Sequence, residues 1–214
     1  MLNVKPVKLL PVREQAASSL REAIISQDIK QGEILTLETT AKALGISVTP
    51  VREAFQILAR DGLIELAQNR AAVVLGMSIK NIREHYEIRA ALEAEACRLA
   101  CKNKADLTEV EHCLNSAENA LTKNNSTQYS DYNQSFHYNI WLASGNSRLV
   151  NMLSELWNGL SMGVKTTKSQ YANKSQAEHQ KIFDELKIYN VDGAATAMYS
   201  HIIRSMNDML TRYE

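Results

Sequence analysis

The stretch Leu44-Gly-Ile-Ser-Val-Thr-Pro-Val-Arg-Glu-Ala-Phe-Gln-Ile-Leu58 constrains the fold more than any other part of the chain. Gly45 supplies the positive φ that a tight turn between two helices requires. Ser47 or Thr49 can cap the helix that follows, and Pro50 suits its first position because no N–H is wanted there. Glu53 lies close enough to complete a capping arrangement. Val51, Ala54, Phe55 and Leu58 recur at helical spacing and predict the face turned to a core. Ser47, Thr49, Arg52 and Gln56 are left at the helix start and on its outer face. In a helix-turn-helix, those positions of the second helix meet phosphates and base edges in the major groove.

The flanking sequence completes the module. Val12 to Gln27 has apolar residues at Ala16, Ala17, Leu20, Ala23, Ile24 and Ile25, the pattern of an amphipathic helix. Asp28 to Leu35, with Gly32, reads as a turn, and Leu37 to Leu44 as a short helix. Thr49 to Arg60 forms the recognition helix, stopped by Asp61-Gly62. Leu63 to Leu66 and Ala72 to Leu75 are β-prone runs joined by a tip holding Asn69 and Arg70. Helices followed by a small hairpin make a winged helix-turn-helix over residues 1–76. Arg70 at the tip is a candidate for the adjacent minor groove. Lys5 and Lys8 in the N-terminal arm are candidates for the DNA backbone.

From Ser78 onward the periodicity is helical throughout. Helices are expected from Ser78 to about Lys102, Asp106 to about Lys123, Gln128 to Ala143, Arg148 to about Lys168, Ser175 to Tyr189, and, capped by Asp192, on to about Tyr213. Joined by short loops, these make an all-helical antiparallel bundle of about six helices over residues 77–214. The fold class is therefore mainly α.

Composition excludes more than it identifies. The chain carries 24 Lys and Arg against 24 Asp and Glu. Its first 76 residues hold nine cationic and eight anionic side chains. A field that attracts DNA must then arise from local arrangement, not net charge. No apolar run approaches a membrane span and no signal-peptide core opens the chain, so the expected location is the cytoplasm. Cys97, Cys101 and Cys113 match no zinc ribbon or finger and read as buried thiols in a reducing compartment.

Several short motifs occur together and in order. In the first half they are Leu20-Arg-Glu-Ala-Ile-Ile25, Gly32-Glu33, Leu44-Gly45, Thr49-Pro-Val-Arg-Glu-Ala54 and Leu58-Ala-Arg-Asp-Gly-Leu63. In the second they are Tyr86-Glu-Ile-Arg-Ala-Ala-Leu-Glu93, Asn133-Gln-Ser-Phe-His137, Gly145-Asn146, Glu178-His179 and His201. On these the chain resembles the GntR family of bacterial transcription regulators, in its FadR-like branch with an FCD-type helical effector domain. The family usually has Arg where Val48 stands, an acidic residue at Leu37, Arg at Glu38 and Gly at Ala71. Two cationic DNA contacts of many relatives are thus missing, and each lost phosphate contact flattens the salt dependence of binding by about one unit.

The resemblance implies a DNA-binding regulator, a repressor in the first instance. It implies a homodimer on a palindromic operator, because one such module buries little surface. It also implies that Asn133, His137, His179 and His201 hold a divalent metal, zinc or nickel given three neutral imidazoles. Asp131, six residues before His137, and Glu178, beside His179, point to other faces. His85 and His112 match no ligand position and read as surface histidines. A small carboxylate effector would sit at the metal, with Arg89 either pairing with it or bridging to Glu93 at i+4. Tyr86, Asn139 and Trp157 either line that pocket or only pack. Two alternatives stand beside this reading: a purely structural metal in the same regulator, and a metal-dependent enzyme in a helical bundle.

Overall fold

In the computed structural model, which describes residues 11–67, 71–157 and 169–211, the segment around Gly45 folds into the expected pair of helices. Helix α1 (Val12–Ile25) is followed by strand β1 (Ile34–Thr36), α2 (Leu37–Leu44), α3 (Val48–Arg60), β2 (Ile64–Leu66) and β3 (Ala71–Val74). Thr36 caps α2 by accepting the Thr39 N–H at 3.2 Å, and Gly45, at φ 67°, ends it in the left-handed conformation that turns the chain into α3.

Two details of this turn differ from expectation. Helix α3 begins at Val48, so Pro50 is its third residue, not its first. Ser47 occupies the N-cap position but makes no side-chain cap bond. The cause is chemical: a cap side chain bonds the N–H of the second or third helical residue, and Pro50 removes one of these. Glu53 takes no part in capping and lies 3.7 Å from Arg13 instead.

Asp28 to Leu35 is not all turn. Ile34–Thr36 forms a third strand, and the sheet order is β1-β3-β2, all antiparallel. Ala72 is paired with Leu35 on one side and Leu66 on the other. Leu35, Ala72 and Val74 join Ala17, Leu20, Val51, Phe55, Leu58 and Leu63 in one core. Each fully buried aliphatic or aromatic side chain there stabilises the unit by about 1.5–3 kcal/mol. Across that core the buried Arg21 donates to the Asp61 carboxylate at 2.5 Å, tying α1 to the end of α3. Lys5, Lys8, Asn69 and Arg70 lie outside the described residues.

The chain divides into two units, Met1–Ser78 and Ile79–Glu214. The second contains, among the described residues, α4 (Ile79–Lys102), α5 (Thr108–Thr122), α6 (Ser126–Ala143), α7 (Ser147–Leu156), α8 (Ser169–Lys187) and α9 (Val191–Leu210). Residues 158–168 of the long helix expected from Arg148 are outside the described set. Helix α4 packs along α9, α5 along α6, and α8 against both α9 and α5. Small buried residues, Ala90, Ala94, Cys97 and Cys101 on α4 and Ala194 and Ala195 on α9, let backbones approach closely. The three cysteines are buried free thiols. Asn125, Asn146 and Asn190 cap α6, α7 and α9. The last corrects the assignment of Asp192: Asn190 Oδ1 accepts the Gly193 N–H at 3.1 Å, and Asp192 lies inside the first turn.

Candidate nucleic-acid interface and metal centre

Helix α3 sorts its residues sharply. Val51, Ala54, Phe55 and Leu58 are buried, and Ser47, Thr49, Arg52 and Gln56 are all exposed. The core-facing row fixes the helix rotationally, so the polar row is presented outward without spending those side chains on the fold. Ser47 and Thr49 lie exposed at the N-terminal end of α3, and Ser47 spends no side-chain bond on capping it. That end of a helix favours anions such as phosphate. Val48, where the resemblance leads one to expect an arginine, is half-buried and packs against the core. Glu38 is exposed on the first turn of α2.

The second site lies inside the helical unit. His137 on α6, His179 on α8 and His201 on α9 are buried, and one ligand atom from each lies within 4.8 Å of the other two. His137 stacks on His201 with ring centroids 5.3 Å apart, and Phe136 stacks on His179 at 4.6 Å. Asn133 lies one turn before His137 on α6 and is half-buried.

Carboxylates orient two of the rings. The fully buried Glu93 accepts from His137 Nδ1 at 2.5 Å, from Arg89 Nε at 2.6 Å and from Trp141 Nε1 at 3.2 Å. Burial alone would raise the Glu93 carboxyl pKa. The charges of His137 and Arg89 and the two hydrogen bonds outweigh it and hold the group well below the usual carboxylate range. Glu178 accepts from His201 Nδ1 at 2.7 Å and from Arg204. Burial opposes its ionisation too, but His201 and Arg204 bring its pKa down to about 2.

Burial, opposed in part by Glu178, brings His201 down to about 4. Burial and the neighbouring rings push His179 well below the ordinary histidine value. With Glu178 accepting at Nδ1, the neutral His201 ring carries its proton there and turns Nε2 to within 3.2 Å of His179 Nε2. An imidazole whose Nδ1 is anchored by a carboxylate is oriented to offer Nε2 to a metal. The donor set therefore fits a borderline divalent ion.

Of the two alternatives for Arg89, the bridge to Glu93 is formed, and the guanidinium also lies 4.3 Å from the Trp157 ring centroid and 5.9 Å from that of Tyr86. Tyr86 and Trp157 are buried beside it. Asn139 is a correction. Its amide donates to Ser135 O at 2.8 Å and to Cys113 Sγ at 3.5 Å, which turns it toward α5. Two residues from His137, it lies about 200° around α6 at ~100° per residue. Glu178, expected on another face than its neighbour His179, is turned to α9 and bonds His201 and Arg204 there. His85 is half-buried with its ring edge-on to Tyr86 at 5.5 Å, whereas His112 is exposed as expected.

Glu93, Glu178 and Arg204 are the site residues that sequence reasoning missed or left in a minor role. Arg204 had a readable signal, since it follows His201 by three on the same helical face. Glu178 had none, because adjacency to His179 argues for the opposite face.

Two family models cover most of the chain. The bacterial regulatory protein gntR family matches residues 12–74, and the FCD domain matches residues 84–204. An uncharacterised HTH-type transcriptional regulator, YdhC of Bacillus subtilis, is 28% identical over 199 residues, 91% of this chain and 89% of the relative. The probable D-xylose utilization operon transcriptional repressor of Paenarthrobacter nicotinovorans is 28% identical over 202 residues, 89% of this chain and 87% of the relative. The solved structure of Escherichia coli McbR/YncC superposes with a TM-score of 0.74 at 23% identity, covering 96% of this chain and 100% of that one, which shows the shared fold. These families and relatives are transcription regulators, not enzymes. Among the described residues no helix is long and apolar enough to cross a membrane.

Proposed function

The chain belongs to the gntR family of bacterial regulatory proteins, with an FCD domain as its second half, and is a transcriptional regulator; from that premise we propose that it is a cytoplasmic repressor whose operator affinity is set by a small carboxylate bound at a metal in the helical unit. The observation that carries this reading is the convergence of three buried imidazoles, His137, His179 and His201. They would hold a zinc or nickel ion, with the Asn133 amide oxygen as a neutral further ligand. When bound, such an ion supplies a Lewis-acidic position that attracts an anionic oxygen. Arg89, already fixed by Glu93 and Trp157 and flanked by Tyr86, would pair with the effector's carboxylate beside it.

Residues 1–76 would form the DNA-binding module. Ser47 and Thr49 would contact phosphate, Arg52 phosphate or guanine, and Gln56 a neighbouring base, with Arg70 in the minor groove. Residues 77–214 would hold the effector and dimerise the chain, placing two α3 helices on the halves of a palindrome. The effector shifts DNA affinity only by its differential affinity for the two arrangements of those modules.

The test is operator selection from random duplex DNA with the full chain, followed by affinity measurement with metal, with chelator, and with a panel of organic acids. A twofold-symmetric site whose affinity changes with metal and with one acid class supports the reading. Affinity indifferent to both would sink the sensing claim and leave a DNA-binding regulator. The near-complete burial of the three rings favours one other reading, an ion that only braces the bundle. Unfolding on chelation with no response to any acid would select it.

A further inference from the structure

We propose that Glu178 and Arg204 are positioning residues for the histidine cluster, fixing the His201 ring so that Nε2 faces His179. The proposal rests on reading the cluster as a metal site and concerns how this chain's own residues prepare it.

The cluster is supported by two relays of the same composition. In one, Arg89 bonds Glu93 and Glu93 bonds His137 Nδ1. In the other, Arg204 bonds Glu178 and Glu178 bonds His201 Nδ1. Each guanidinium lies over an aromatic ring, Arg89 over Trp157 at 4.3 Å and Arg204 over Tyr171 at 4.8 Å. The first relay runs from α4 to α6 and the second from α8 to α9, so four helices are committed to orienting two rings.

The geometry of the second relay exceeds what a tie between helices needs. Arg204 Nε donates to both Glu178 oxygens at 3.0 Å, and Nη2 also reaches Glu178. Nη2 donates to Ser175 Oγ at 3.0 Å, and Nη1 to Asp208 at 2.9 Å. Tyr171, under the guanidinium, donates its hydroxyl to Ser205 Oγ at 3.1 Å. The outcome is a carboxylate locked in place with one oxygen aimed at His201 Nδ1. An imidazole whose Nδ1–H is taken this way must offer Nε2 as a lone pair. Without Glu178 the ring is able to carry its proton on Nε2, which blocks that atom as a ligand. The other relay is sealed, Glu93 being fully buried, whereas Glu178 is 23% exposed and is the member that can be altered with less damage to the core.

The experiment uses the full chain and zinc and nickel as probes, with affinity read by competition against a chromophoric chelator. Glu178→Ala is expected to lower affinity by about 10- to 100-fold, the usual cost of losing a carboxylate partner of a metal-bound histidine. Glu178→Gln, whose amide oxygen can still accept the Nδ1–H, should lose less, and it decides the matter if the alanine variant does not fold. Asp208→Ala cuts only the outer arm of Arg204 and should leave affinity unchanged. Nitrogen-15 spectra of the metal-free protein give a readout that a mere tie would not move: His201 should be protonated on Nδ1 in the unmodified protein and lose that preference in Glu178→Ala. Affinity changed equally by Glu178→Ala and Asp208→Ala, or by neither Glu178 variant, overturns the positioning role alone. Uptake of neither ion by the unmodified protein overturns the metal reading and this inference with it.

Discussion

The outer face of α3 and the histidine cluster are built on opposite principles. On α3, the residues offered to a partner are exposed and spend little on the fold, while a separate buried row anchors the helix. In the cluster, the offered residues are themselves the core, and each is held by hydrogen bonds from another helix. Substitution on α3 should therefore change binding and spare stability. Substitution in the cluster should change both. Four predictions break or sharpen this contrast.

The largest effect is expected at Glu93. Its carboxylate is fully buried and neutralises Arg89 while anchoring His137. Glu93→Ala removes the carboxylate from the buried Arg89–Glu93–His137 relay, and taking one side out of a buried charge pair costs about 3–5 kcal/mol. Chemical denaturation of the metal-free variant measures this. A loss below about 1 kcal/mol would mean that water reaches Arg89 and that the site is not sealed.

Next comes pH. His201 is depressed to about 4 and His179 lies well below its ordinary value, so between about 6.5 and 4 the unfolded chain binds protons that the native fold does not. Stability of the metal-free protein should be fully present above about 6.5 and fall as pH drops through that window. The expected slope is about 1.4 kcal/mol per pH unit for each such proton. The Glu178 carboxyl, near 2, adds loss of the same sign at lower pH. Denaturation midpoints that stay flat from pH 7 to 4.5 would contradict the neutral, buried state of these rings.

The same contrast explains what the sequence revealed. The α2–α3 turn was legible because its determinants lie within one window: Gly45 ends a helix and four apolar residues repeat at helical spacing. Even there, Pro50 displaced the expected cap through a local effect, and β1 was missed because three residues carry too little periodicity. The cluster was legible only through the resemblance. His137, His179 and His201 are separated by up to 64 positions, and nothing local brings them together. Glu178 shows the limit most plainly, since its partner is chosen by how α8 packs on α9. Asn139 shares α6 with His137 but bonds Ser135 and Cys113, and only the packing of α5 on α6 selects that side.

Arg52 is the third test. It is exposed one turn into α3, with no buried contact to lose. Arg52→Ala should weaken specific operator binding by about 1–3 kcal/mol, roughly 10- to 100-fold, with the unfolding midpoint unmoved. Fluorescence anisotropy on the selected operator, paired with thermal denaturation, separates the two readouts. A variant that loses stability as well would show that the outer row of α3 is not independent of the fold.

The smallest effect is the most diagnostic. Val48 is half-buried at the first turn of α3, where the resemblance leads one to expect an arginine. Val48→Arg adds a long cation that can extend past the core edge to phosphate. Each added phosphate contact steepens the dependence of log affinity on log salt by about 0.9. One engaged module should therefore change the slope by about 0.9, and two modules of a dimer on a palindrome by about 1.8. Affinity measured across a salt series on the selected operator thus counts the α3 helices in contact with DNA. An unchanged slope would mean that the helix start sits too far from the backbone for any side chain at this position to reach it, and the proposed docking of α3 would have to be redrawn.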